Sequence, residues 1–361
     1  MYNSLAPRSF ASTMSSVTKT SYNFFFSFFT TYLVFLLLAP STHLQVAAGA
    51  IGVCYGRVSN NLPSAREVIE MYKSNGIGKL RLYAPSQDAL DALRGTNIEV
   101  LVDVPNEDLP QLSSSFSAAA AWVDANIAKF WPDVRLKYIA VGNEQLPSGN
   151  APFVLGAMQN IQRALQSSGS ANAIKVSTAV SMAALKSSYP PSQGAFADDL
   201  VTYLGPIARF LSSTGAPFLV NVYPYFSYIG DPSHIALSYA LFTAPSDVVR
   251  DGPYGYQNLF DAMIDAVYAA LDKVGASGVE VVVSESGWPS DGNVAATLEN
   301  AKTYNQNLIN HVRKGTPRKQ VPIEAFLFAM FNENQKPGAA TERNFGLFYP
   351  NKQPVYPIQF S

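Results

Sequence analysis

From Ile51 onward the chain alternates short apolar runs with amphipathic stretches. IGVCYG (51–56), KLRLYA (79–84), EVLVDVP (99–105) and LKYIAVGNE (136–144) read as strands. Each is short, rich in Val, Ile, Leu or Tyr, and bounded by Gly, Pro, Ser or Asn. Between them LPSAREVIEMYKSNG (62–76), SQDALDALRG (86–95) and SAAAAWVDANIAKFW (117–131) carry apolar residues at helical spacing, and Ser86 is placed to cap the second. APFVLGAMQNIQRALQSSG (151–169) repeats Val154, Met158, Ile161 and Leu165 on one helical face. The second half continues with strands at IKVSTAV (174–180), PFLVNVYPY (217–225), VEVVVSES (279–286) and IEAFLFAMFNE (323–333). Helices are expected at 198–215, at 256–275 after a long aromatic loop, and at 301–315.

Eight strands, each but the last followed by a helix, describe a single-domain α/β protein of the (β/α)8 TIM-barrel type. A doubly wound open sheet shares the alternation, but the count of eight and a first turn without a glycine-rich phosphate loop favour the barrel. Chemistry in such barrels sits at the C-terminal ends of the strands. There the strands end in VGNE (141–144), VNVYPYF (220–226), VSESGW (283–288) and FNENQK (331–336). Closure of the barrel brings Glu144 and Glu285, about 140 positions apart, to one mouth, with Trp288 expected to wall the cleft.

Residues 1–50 stand outside this pattern. Arg8 and Lys19 precede the apolar run Phe24–Ala39, and small residues, VAAGA, follow at 46–50. Basic, apolar and small-residue regions in that order make a secretory signal, with removal expected between Ala48 and Ile51 and Met14 as a possible alternative start. The remaining domain is 51–361, and the expected location is extracellular, with no membrane contact after cleavage. The chain ends at YPIQFS, so no added binding module and no hydrophobic anchor tail are expected.

Lys and Arg total 25 against 26 Asp and Glu, a balance that argues against nucleic acid or an acidic membrane as partner. Cys54 is the only cysteine, so no internal disulfide forms and the core must supply stability; in strand one it reads as a packing residue. His43, His234 and His311 stand apart, and no Cys/His spacing suggests a metal. No metal and no cofactor are expected, and the protein is expected to be a monomer. Aromatic residues make up 12% of the chain, suited to a large core or to stacking on sugar rings.

Two carboxyl groups facing each other across a cleft are what glycosidic hydrolysis needs. One is a protonated acid for the leaving oxygen, and the other faces the anomeric carbon. A neutral Glu144 requires a raised pKa, which a nearby anion supplies, while Glu285 requires donors such as Lys336. A strand-end glutamate can also be merely solvated or salt-bridged, and the aromatic residues can all be core.

The motifs VGNE, VVVSESGWPS, IGVCYG, RLY (81–83), NVYPYF (221–226), FAMFNENQK (328–336) and TERNFGLFYPNKQPVY (341–356) resemble those of plant endo-β-1,3-glucanases, glycoside hydrolase family 17. The resemblance spans Ile51 to Phe360. It implies a (β/α)8 barrel and retaining hydrolysis of internal β-1,3 bonds in glucans such as callose and fungal wall polymers, in defence or wall remodelling. By motif it makes Glu144 the acid/base and Glu285 the nucleophile, with Glu333, Lys336 and Glu342 as a supporting charged cluster. It implies a substrate cleft lined by Tyr83, Asn143, Tyr223, Phe226, Tyr228 and Phe331. In a retaining enzyme the two carboxyl groups stand about 5–5.5 Å apart. Mixed-linkage β-1,3-1,4-glucan is the alternative substrate within the family, and a non-catalytic glucan-binding wall protein is the alternative outside enzymes.

Overall fold

The computed structural model describes residues 51–360; the expected leader over 1–50 and its cleavage position lie outside the described residues. Eight parallel strands close into a barrel in sequential order. They are β1 (Ile51–Tyr55), β2 (Lys79–Leu82), β3 (Glu99–Val104), β4 (Arg135–Asn143), β5 (Lys175–Ser181), β6 (Phe218–Asn221), β7 (Val281–Ser286) and β8 (Ala325–Leu327). β1 pairs with both β2 and β8, which completes the ring. Two small antiparallel ribbons, Leu185–Ser187 with Ala195–Phe196 and Val249–Asp251 with Tyr254–Tyr256, decorate the loops after β5 and β6.

The helices pack outside the ring and bury the faces that the apolar spacing marks. Ala65–Ser74 buries Val68, Ile69, Met71 and Tyr72, and Ser64 with Glu67 forms a reciprocal capping box at its start. Ala151–Ser167 buries Val154, Met158, Ile161 and Leu165. Ser86 sits at the start of the helix Gln87–Leu93 but does not cap it, because its hydroxyl is turned to the Asp88 carboxylate. The stretch expected as one helix over 117–131 is α-helical over Phe116–Val123 and widens to a π-turn over Asp124–Ala128.

Two strands are shorter than their apolar runs. β6 ends at Asn221, because Pro224 opens a helix, Pro224–Gly230, at a position where its missing N–H leaves no helical bond unmade. β8 ends at Leu327, and the apolar residues beyond it turn across the mouth.

Alternation along the strands sets what lies inside the barrel. On β2 the inward series is Lys79, Arg81 and then Tyr83 just past the strand; on β3 it is Glu99, Leu101 and Asp103. The lowest members close the N-terminal end. Lys79 donates to Glu99 at 2.7 Å and to Glu324 at 3.0 Å. Lys137 reaches the same two carboxylates at 3.1 and 2.9 Å, and Tyr138 donates to Glu324 at 3.0 Å. The upper members belong to the mouth.

Candidate active site

β7 delivers Glu285 through a slip in register. Val283 pairs with Val220, yet Glu285 pairs with the very next residue of β6, Asn221. The extra residue is a β-bulge, a device that re-aims side chains at barrel rims. Neighbours that would otherwise face opposite ways now share one network: the Ser284 hydroxyl donates to Asn221 Oδ1 at 2.8 Å, and Glu285 Oε1 accepts from Arg81 Nη1 at 2.9 Å. This is how an apolar strand comes to end in a buried carboxylate.

β4 delivers Glu144 by a backbone turn. Gly142 has φ 82° and Glu144 has φ 55°. The left-handed φ of Gly142 favours glycine there, and a Cβ would also press on the end of the Leu109 side chain at 2.9 Å. The left-handed conformation is uncommon for a residue with a Cβ, and here it sits on a candidate catalytic side chain. The Glu144 N–H is fixed by the Ala179 carbonyl at 2.8 Å.

The two carboxyls have opposite surroundings. Glu285 is ringed by donors: Arg81 at 2.9 Å, the Tyr83 hydroxyl at 2.9 Å on the same oxygen, and the Tyr223 hydroxyl at 2.7 Å on the other. Burial pushes both phenols well up, so they remain O–H donors. Glu144 has one such partner, the Asn221 amide, which donates at 2.8 Å. Burial first, and the charge of Glu285 second, push the Glu144 carboxyl up; the Asn221 bond and Arg81 pull the other way. The anion across the cleft is thus the lesser cause, not the main one.

Arg81 and Asn221 join the pair. Arg81 is fully buried inside the barrel. It forks onto Asp103 at 3.1 and 2.6 Å and also donates to Asn143 Oδ1, Asn221 Oδ1 and the Ser284 carbonyl. Asn143 Oδ1 further accepts from Asn221 Nδ2 at 3.1 Å. Below them Cys54 is fully buried, its Sγ–H directed to the Ser284 carbonyl at 3.5 Å. Burial, reinforced by Glu285, pushes the thiol far up, so it stays neutral and fills space under the nucleophile.

Above the pair lies a groove of about 1240 Å³. It is lined by Tyr83, Asn143, Tyr223, Phe226, Glu333, Lys336 and Glu342 among the expected residues. Phe226 keeps 43% of its surface open, and its ring leans on Tyr223 and Phe345. Lys336 pairs with Glu342 at 3.4 Å and lies 3.9 Å over the Phe328 ring. Glu333 is buried against Gly56 and accepts from the Val58 N–H at 2.7 Å; burial pushes its carboxyl up.

Four expectations do not hold. Phe331 is 1% exposed and packs edge-on against Tyr55, because the chain turns after Leu327 and carries it beneath the mouth. Tyr228 sits on the far side of the helix from Phe226 and packs on Trp288 instead of lining the groove. Trp288 is fully buried, donating to the Ala295 carbonyl at 2.8 Å between Tyr225 and Tyr304, so it supports the mouth from behind. The donors to Glu285 are Arg81, Tyr83 and Tyr223, whereas Lys336 engages Glu342. Among the described residues no cluster of His, Cys, Asp or Glu could hold a metal, and no helix is long and apolar enough to cross a membrane.

A closed eight-stranded barrel with one buried, donor-ringed carboxylate and a second, solvent-open carboxyl whose pKa is raised, both facing one groove, is the arrangement of a glycoside-cleaving barrel enzyme. The family described as glycosyl hydrolases family 17 matches residues 51–360, and the chain belongs to that family. It is 56% identical to a glucan endo-1,3-beta-glucosidase of Vitis vinifera over 336 residues, covering 91% of this chain and 98% of the relative. An acidic isoform of the same name from Zea mays is 54% identical, over 90% of this chain and 96% of the relative. Among solved structures, one of two plant beta-glucan endohydrolases with distinct substrate specificities is 52% identical, covers 86% of this chain and 100% of its own, and superposes with a TM-score of 0.83. CJP38, a beta-1,3-glucanase and allergen of Cryptomeria japonica pollen, is 49% identical over 86% and 99%, with a TM-score of 0.84.

Proposed function

We propose that the protein hydrolyses internal β-1,3-glucosidic bonds of glucans with retention of configuration, through a glycosyl-enzyme on Glu285. The observation that carries this reading is the contrast between the two carboxyls. Glu285 is buried among Arg81, Tyr83 and Tyr223, a donor set that suits an anionic nucleophile; Glu144 is open to the groove, with its carboxyl pushed up by partial desolvation and by the charge of Glu285. Asn221 bonds Glu144 directly and touches Arg81, which bonds Glu285. Retention requires the two carboxyls to stand about 5–5.5 Å apart, too close for an inverting water. The groove exceeds the roughly 300–1,000 Å³ of a small-ligand pocket, room for several sugar units and therefore for cutting within a chain. The names of the relatives supply the linkage.

In the first step Glu285 attacks the anomeric carbon as Glu144 gives its proton to the departing oxygen. In the second, Glu144 takes a proton from water, which attacks the same carbon and frees Glu285. Phe226 offers an open ring face for a sugar, and Glu333, Lys336 and Glu342 offer polar contacts along the groove.

The test uses protein secreted from cells expressing the full chain, whose first residue is expected between Ala48 and Ile51. Linear β-1,3-glucan should lose viscosity early and yield oligosaccharides whose first-formed anomer, by proton NMR, is β. An α-anomer overturns retention. Faster cleavage of mixed-linkage glucan would move the enzyme to the other specificity, a comparison made necessary by the distinct substrate specificities of the two plant endohydrolases. Secreted product retaining Phe24–Ala39 would refute the leader.

A further inference from the structure

Asp103 lies beneath both candidate catalytic carboxyls and touches neither in the hydrogen bonds it makes. It is 1% exposed, and both its oxygens are taken by Arg81, Oδ1 at 3.1 Å from Nε and Oδ2 at 2.6 Å from Nη2. That fork fixes the guanidinium plane. With the plane fixed, Nη1 has one direction left, toward Glu285 at 2.9 Å, Asn221 at 3.3 Å and the Ser284 carbonyl at 3.1 Å. Asn221, oriented in turn by Arg81 and Ser284, places its amide on Glu144. We propose that Asp103 is a positioning residue that aims Arg81 and offsets its charge, so that one guanidinium serves Glu285 without stripping the proton from Glu144.

The charge balance gives the reason. Arg81 faces Asp103 from β2, Glu285 faces Arg81 from β7, and Glu144 stands at the end of β4; Cys54 of β1, Tyr83 and Tyr223 lie around them, and Lys336, Glu333 and Glu342 face the pair from beyond β8, with Lys336 pulling the Glu144 carboxyl down as Arg81 does. With Asp103 ionised, Arg81 is shared between two anions. Without it, the whole positive charge falls on Glu285 and on the neighbourhood of Glu144. A nucleophile held that tightly attacks more slowly, and an acid beside an unscreened cation gives up its proton at lower pH. Burial pushes the Asp103 carboxyl up to about 6 even against the pull of Arg81.

The inference rests on the double-displacement reading, and the experiment separates the two. Native enzyme, Asp103→Asn and Asp103→Glu are compared for kcat, KM, pH profile, thermal midpoint and the rate at which a dinitrophenyl 2-deoxy-2-fluoro-β-laminaribioside labels Glu285. This reagent needs no proton from Glu144. No labelling of native Glu285 would sink the double-displacement reading itself. Given labelling, Asp103→Asn should lower kcat and the labelling rate by about 10- to 100-fold at little change in KM, and move the alkaline limb about half a unit to one unit toward acid. Asp103→Glu keeps the charge and should hold the alkaline limb in its native place with a smaller loss of rate. A folded Asp103→Asn with native labelling and an unmoved limb overturns the inference. So does loss of activity that only follows loss of folded protein. If Asp103→Asn does not fold, Asp103→Glu decides: a limb displaced despite the retained charge refutes it.

Discussion

Glu285→Gln should bind glucan and fail to cut it. The substitution keeps size and shape but removes the charge that attacks the anomeric carbon. It also turns one acceptor oxygen into an NH₂ group that faces donors, since Oε1 now accepts from Arg81 and Tyr83 and Oε2 from Tyr223. The amide oxygen will turn toward Arg81, the charged donor, and leave Tyr223 to rearrange. Loss of turnover on the order of 10⁵-fold is expected, in line with removal of a covalent nucleophile, which is about 7 kcal/mol of barrier. The dissociation constant for a laminari-oligosaccharide, measured by calorimetry, should stay within about tenfold, because groove contacts act on substrate and transition state alike. Glu285→Ala opens space for a small anion in place of the carboxylate, and azide should then give an α-glycosyl azide. A Glu285→Gln enzyme that retains a tenth of native turnover would remove Glu285 from the chemistry.

Glu144→Ala should separate substrates by leaving group. On β-1,3-glucan a loss of about 10³-fold is expected, the usual worth of general acid catalysis. On a dinitrophenyl glycoside the first step needs no proton, so the glycosyl-enzyme forms readily and waits for a base. Azide needs no base and should release a β-glycosyl azide. The pH profile supplies the matching sign. Burial raises the Glu144 pKa, so the acid form persists above the usual carboxylate range, and activity falls as pH rises through the shifted value. That alkaline limb should vanish in Glu144→Ala assayed on the activated substrate. Its survival there would assign the limb to another group, with Glu333, also raised by burial, the next to examine.

The barrel was legible because its strands and helices carry different periods, and the two glutamates because each ends a strand. What escaped had a weaker mark. Arg81, Asp103 and Asn221 each interrupt an apolar strand with a polar side chain, in KLRLY, EVLVDVP and FLVNVY. Such an interruption is a signal, since a buried charge survives only with partners. Which partners depends on closure of the barrel, which one sequence does not reveal. Phe331 and Tyr228 entered the cleft only on resemblance, and both lie beyond the points where β8 and β6 stop. Past Leu327 and Asn221 the backbone no longer alternates, and facing must be read from the turn taken.

The left-handed backbone at Glu144 also bears on how such a protein can drift. Holding a residue with a Cβ in that region costs about 1–2 kcal/mol. Replacement by glycine would relieve that strain, at the loss of the one hydrogen bond from Asn221. The fold therefore gains when the acid is lost, and selection for cutting is what keeps Glu144 in place. A duplicated copy freed from that selection would slide toward a steadier protein that still grips glucan through its intact groove and no longer breaks it. The step from enzyme to lectin runs downhill in stability at this one position.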